Sequence, residues 1–189
     1  MAGHIVDIEA LPNCFPTHKH DPSFWEWLGR TIATFGFLEE TLGKAIFAFT
    51  ATTEYSDDEV VSALEKWLGT LENALKDPLG AKINAYERAV QEHGKLQMLD
   101  FSNLIDDLRK AKNVRDVLCH GSWRTPKDNG FSRPHFVNRK LERFETDVNI
   151  EFLIQTQRHA AELAAVVVST VTTMGWEFPG SSGSGETIW

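Results

Sequence analysis

Cysteine is nearly missing from this chain: Cys14 and Cys119 are the only two in 189 residues. They are too few for a disulfide scaffold and lack the paired spacing of a structural zinc site, which fits a reducing compartment. Long apolar runs are missing as well. The longest uninterrupted small-apolar stretch, Leu163 to Val168, falls far short of the roughly 20 residues a membrane-spanning helix needs. Residues 1–20 have neither the basic start nor the apolar centre of a signal peptide, so a cytoplasmic protein with no membrane partner is expected. Basic charge is in deficit: 19 Lys and Arg face 27 Asp and Glu, for a net charge of -8. That balance argues against a protein that coats nucleic acid nonspecifically. No phosphate-cradling glycine loop, nucleophile elbow or metal-binding helix motif is found, which leaves little support for an enzyme built on those devices.

What is present is helical periodicity. Residues 1–20, with Pro12 and Pro16, show none and read as an extended arm. Asp21 and Pro22 then supply an N-cap and a first-turn proline. Phe24, Leu28, Ile32, Phe35, Leu38, Leu42, Ile46 and Phe49 follow at three- and four-residue steps to near Thr52, the signature of a long amphipathic helix. Gly29, Gly36 and Gly43 lie seven apart within it, a spacing that suggests close approach of another helix. Ser56 to Glu59 has the form of a capping box before the stripe Val60, Val61, Leu64, Trp67, Leu68, Leu71 and Leu75, which should stop at Asp77-Pro78. Leu79 to Gly94 holds a third stripe, and a fourth runs from near Leu96 to His120-Gly121. A last helix should begin after Asp147 or Asn149 and end at Gly175. Residues 176–189, with Pro179 and the Gly/Ser run 180–185, have the composition of a flexible tail. The fold class is therefore all-α: a four- to five-helix up-and-down bundle over residues 21–175, with a long loop holding a possible short hairpin around Phe136 and Phe144 before the last helix.

Charge is not evenly spread. Between Arg109 and Arg143 stand ten basic residues and three acidic ones, so one segment is basic within an acidic protein. Trp123, Arg124, Phe131, Arg133, His135, Phe136, Arg139, Lys140 and Arg143 interleave aromatic with basic side chains, a mixture suited to single-stranded RNA: bases stack on rings while cations follow the backbone. Two readings stay open, RNA binding through Trp123, Arg124, Arg133, His135, Arg139, Lys140 and Arg143, or a loop whose aromatics, Trp123 and Phe144 first, pin it to the bundle. Lys127 beside Asp128 reads as solvated.

At the end of the fourth helix stands Arg115-Asp116-Val117-Leu118-Cys119-His120-Gly121. Asp116 and His120 are one turn apart, so the carboxylate is in reach of the imidazole, and Val117 and Leu118 can hold the turn against the core. Histidine titrates near neutrality and can take or give a proton. A forked, permanently charged arginine can hold phosphate oxygens as charge builds on them. These types suit RNA transesterification, in which the ribose 2′-hydroxyl attacks the adjacent phosphorus without a metal. Arg88 to His93 repeats the spacing, but Ala89 follows its arginine where Asp116 is polar, and it reads as helix surface.

The Arg115 to His120 run resembles the R-x4-6-H signature of HEPN (higher eukaryotes and prokaryotes nucleotide-binding) domains, with Asp116 in place of the usual asparagine. The resemblance implies a helical bundle, a two-fold homodimer that brings two motifs together, and metal-independent ribonuclease activity in toxin, antiphage or RNA-processing systems, with an antitoxin or other protein as a possible partner. Arg115 and His120 would be the catalytic pair and Asp116 their polar neighbour. The alternative is a noncatalytic helical module binding RNA, a nucleotide or a protein. No cofactor is expected, and no metal: Cys14, His18 and His20 match no zinc pattern. Cys119 reads as a packed small residue, Glu39 and Glu40 and the pair Arg158 and His159 as surface, and Trp25, Trp27 and Trp67 as core or dimer contacts.

Overall fold

The computed structural model describes residues 3–56, 58–95 and 100–188. Five helices form an all-α bundle: α1 (Pro22–Ala51), α2 (Val60–Lys76), α3 (Leu79–His93), α4 (Phe101–His120) and α5 (Ile150–Thr172), with two short strands, β1 (Ser122–Trp123) and β2 (Pro134–His135), between the last two. The expected start of the fourth helix near Leu96 lies outside the described residues. Helix α1 begins where Asp21 accepts a hydrogen bond from the Ser23 amide at 2.8 Å and Pro22 occupies the first turn. It is the central element, touching all four other helices and lying longest against α5. Phe24, Phe35, Leu38, Leu42, Ile46 and Phe49 on its inner face are buried, each contributing about 1.5–3 kcal/mol of burial. They meet Leu79, Ile83 and Tyr86 of α3, Leu104, Ile105 and Leu108 of α4, and Leu153, Ala164 and Val167 of α5 in one cluster. The buried hydroxyls of Thr31, Tyr86 and Thr170 are paired. Thr31 donates to the Leu153 carbonyl at 3.1 Å, and the Tyr86 and Thr170 hydroxyls are 2.8 Å apart.

Helix α2 departs from the expectation. An apolar stripe predicts a core-facing side, yet Val60, Val61, Leu64, Leu68 and Leu75 are exposed. The contact to α1 runs instead through Ala74, which is buried, and Trp67, whose indole N–H donates to Thr50 at 3.1 Å. Close approach explains the choice: a Cβ at Gly43 would come within 3.3 Å of the Ala74 carbonyl oxygen, and leucines would hold the two helices apart. Gly29 and Gly36 face open space, so the row of three glycines makes one helix contact.

Both ends of the chain are more ordered than their composition implies. Only residues 3–7 lack turns; residues 8–20 wind through successive turns, with Leu11, Phe15, Thr17 and His20 amides donating to carbonyls three residues back. His20 closes the arm as a buried side chain against Phe24 and Trp25. The tail folds back: Trp176 pairs with Glu186 as a parallel bridge, and Trp176, Phe178 and Ile188 pack on the core. Its linker composition misled because the apolar anchors flank the Gly/Ser run. Gly185, at φ +144, lets the returning chain pass where a Cβ would meet the Glu177 amide at 2.7 Å.

Two histidines, His20 buried and His93 half-buried, tie these parts together. Ser132 spends its one proton on the Arg124 carbonyl, so His20 donates to Ser132 from Nε2 at 3.1 Å. Thr52 likewise donates to the Ala48 carbonyl and receives the Nε2–H of His93 at 3.1 Å. Both Nδ1 atoms are buried without a partner among the described residues, and burial pushes both pKa values below the ordinary histidine value. The unfolded chain therefore binds more protons than the folded one once the pH falls through about 6.5, and stability is lost in that direction. The melting temperature should drop between about pH 7 and pH 5.5, and His20→Gln or His93→Gln should flatten the drop.

Candidate functional site

The last turn of α4 sets the site. Val117 and Leu118 are each 3% exposed and hold the turn against the core, while Arg115 and Asp116 are half-buried and His120 is exposed. Helix α4 ends at Gly121, whose backbone is extended (φ -70, ψ 136) while its amide still donates to the Val117 carbonyl. The chain passes directly into β1. A Cβ on Gly121 would stand 2.6 Å from the Val117 oxygen and 2.8 Å from the Pro134 Cβ. Only glycine lets β2 pack against the helix end at that distance.

His120 is exposed, and its ring makes no hydrogen bond among the described residues. Arg115 is held firmly. It donates to Glu39 of α1 at 3.0 Å and to Asp116 at 3.4 Å, and Asp116 also accepts from Lys112 at 2.6 Å. The four side chains are 20–34% exposed and form a quartet of two cations and two carboxylates. The expected contact from Asp116 to His120 is not made: two full cations on the preceding turn are stronger partners for a carboxylate than an imidazole on the following one. Glu39, read as surface, is the residue that fixes the arginine. Cys119 is half-buried, and burial pushes its thiol pKa up, consistent with a packed thiol. Arg88 and His93 differ from the later pair. Arg88 is exposed, but His93 is turned edge-on to Phe49 at 5.5 Å and bonded to Thr52, so this copy offers no free imidazole, nor is it plain helix surface.

The basic segment is folded. Ser122 pairs with His135 and Trp123 with Pro134, Ser132 bridges to Val148, and Val137 bridges to Arg143. The Phe144 amide donates to the Phe136 carbonyl at 3.1 Å, so the short hairpin suggested around these two residues is present. Asn138 shapes its turn by accepting from the amides of Lys140 and Glu142. Arg139 and Lys140 stand exposed at the tip with Leu141, which has a positive φ of 64.

Trp123 does not face solvent as an RNA platform would. It packs edge-on against Phe24 at 5.0 Å and Trp25 at 6.3 Å, pinning the segment to α1. Arg133 donates to Asp147 at 2.7 Å, and Lys127, read as solvated, reaches the same carboxylate. Arg124, Arg133, His135 and Arg143 come together around an open cleft of about 190 Å³ with Phe136 and Phe144 in its wall and Glu145 beside them. Of the seven expected RNA-binding residues the cleft gathers these four. Its Pro134–His135 wall is the strand paired with Ser122–Trp123, which begins two residues after His120. Among the described residues no three His, Cys, Asp or Glu side chains converge as a metal-holding group, and no helix is long and apolar enough to cross a membrane.

Neither family models, nor curated proteins, nor solved structures show a match to this chain. Phe144 was legible as a hairpin or packing residue, whereas Glu145, just beyond the basic segment, carries no local signal. The link from Glu39 to Arg115 spans 76 residues and leaves no local signal. Lys112 and Asp116 do carry one, the i, i+4 spacing of a helical ion pair.

Proposed function

We propose that the chain is a metal-independent endoribonuclease of the HEPN type that cleaves RNA by 2′-hydroxyl attack, in a toxin, antiphage or RNA-processing setting. The observation that carries this reading is the exposed His120, which makes no hydrogen bond with any described residue, five positions after an Arg115 anchored by Glu39, at the end of the helix that runs directly into β1. In the reaction a base removes the 2′-hydroxyl proton, the 2′-oxygen bonds to phosphorus, and the 5′-oxygen leaves with a proton from an acid. The products are a 2′,3′-cyclic phosphate and a 5′-hydroxyl. His120 has the chemistry for either proton transfer. It cannot hold and lack a proton at once, which is why two copies of the chain, each supplying a motif, suit the reaction better than one. Arg115 would stabilise the charge that builds on the phosphorane oxygens. Its pairing with Glu39 keeps the guanidinium in place before substrate arrives, which spares the cost of ordering a long side chain.

One observation favours the second reading, a noncatalytic module that binds RNA or a protein partner: the charge of Arg115 is already met by Glu39 and Asp116. A phosphate would have to compete with both carboxylates. The deciding experiment is incubation of end-labelled RNA with the protein in excess chelator. Fragments ending in 2′,3′-cyclic phosphate and 5′-hydroxyl are expected, and intact RNA would leave the module reading standing.

A further inference from the structure

We propose that the cleft between β2 and the 136–144 hairpin is a guanine pocket that reads the nucleotide next to the bond cleaved, a reading that rests on the ribonuclease assignment for its place in the reaction. The unusual feature of this cleft is what its polar side chains leave undone. Arg124, His135, Arg143 and Glu145 line it, yet none of the four side chains makes a hydrogen bond or ion pair with any described residue. Other charges of the same region are matched, Lys127 and Arg133 with Asp147 and Lys112 and Arg115 with Asp116, while Arg139 and Lys140 stand exposed at the hairpin tip. Here two arginines and a carboxylate border one cavity and are not spent on each other.

Donors and an acceptor set around aromatic rings describe a base more closely than a bare anion. An anion would be repelled by Glu145, whereas a base brings both signs of partial charge. Phe136 and Phe144 are half-buried in the cleft wall, held at the base of the hairpin by their backbone hydrogen bond, and supply the stacking surface that unpaired bases use. Among the bases, guanine alone presents a pair of acceptors, O6 and N7, on one edge and a pair of donors, N1–H and the 2-amino group, on another. The first edge takes a forked arginine and the second a carboxylate, both bidentate. Uracil has a single N–H between its carbonyls, and adenine and cytosine have no two-donor edge for a carboxylate. The strand register links the pocket to the end of α4: His135 lies opposite Ser122, two residues after His120.

Binding is tested on oligouridylates of about nine nucleotides with one central guanosine, adenosine, cytidine or inosine, made 2′-deoxy at that nucleotide and the one before it so that neither adjoining bond is cut, and followed by fluorescence anisotropy. Guanosine should bind about tenfold tighter than the other centres. Inosine, which lacks the 2-amino group, and 7-deazaguanosine, which lacks N7, should each lose most of that advantage. Glu145→Gln should abolish the difference between guanosine and inosine while keeping the sensitivity to 7-deazaguanosine. Arg124→Ala or Arg143→Ala should do the reverse. Equal binding of all centres, or equal binding of guanosine and inosine by the unaltered protein, overturns the proposal. Cleavage of the all-ribose oligomers separates the two readings. Cutting with no preference for bonds beside guanosine overturns the pocket and leaves the ribonuclease, whereas guanosine-selective binding with no cutting overturns the ribonuclease.

Discussion

Replacing His120 with alanine should lower the single-turnover rate of RNA cleavage by about 10²–10⁴-fold, the usual contribution of a positioned proton-transfer group. The same change should leave the melting temperature almost where it was. His120 is exposed and makes no hydrogen bond with any described residue, and surface substitutions of that kind are worth within about 0.5 kcal/mol. His93→Ala supplies the opposite control. His93 is half-buried against Phe49 and donates to Thr52, so its loss should cost stability, about 1–3 kcal/mol, without a comparable loss of cleavage per folded molecule. A His120→Ala protein that cuts at the original rate would remove the assignment, whatever else cuts RNA in the preparation.

The second large effect concerns the residue beside it. Gly121→Ala should destabilise the protein by about 1–3 kcal/mol, the cost of forcing a methyl into a filled space, which for a chain of this size lowers the melting temperature by about 3–10 °C. The new carbon has nowhere to go. It would sit 2.6 Å from the Val117 carbonyl oxygen, an atom fixed by the helix, and 2.8 Å from the Pro134 Cβ, an atom fixed by a ring. Relief requires β2 to move away from the end of α4, and β2 carries the wall of the cleft. Activity should therefore fall further than the loss of folded protein explains, with His120 itself intact. Thermal melts and cleavage assays below the transition separate the two effects, and full activity at the lower temperature would show that the cleft need not touch the helix end.

Much of the helical layout was legible because its signals are local. Asp21 with Pro22, Asp77 before Pro78, and Asn149, which accepts from the Phe152 amide at 2.9 Å, mark helix ends through groups a few residues apart. Periodicity reports that a helix has an apolar face but not which neighbour will take it. Leu64, Leu68 and Leu75 of α2 stand outside because Gly43 and Ala74 allow a tighter contact than leucine would. The site was legible in the same measure. Spacing alone points to the exposed His120, but the partner of Arg115 comes from α1, and Lys112 outbids His120 for Asp116. The tail was misread because residues 180–185 look like a linker, while what holds them is a chain return between Trp176 and Glu186, a pairing no local pattern encodes.

The shallow attachment of α2 also divides the molecule by how long its parts persist. Among its described side chains Ala74 is the buried one, and Trp67 and Thr50 share a hydrogen bond, whereas α1 and α5 bury side chains along their full length. Opening free energy follows buried contact, so amide protons in α2 would exchange through excursions far smaller than global unfolding, while those of α1 and α5 would wait for it. Each excursion bares Phe47 and Thr50 on the central helix, at the opposite end of α1 from Phe24, where Trp123 holds the cleft, so the molecule can loosen at one end with its site still assembled at the other.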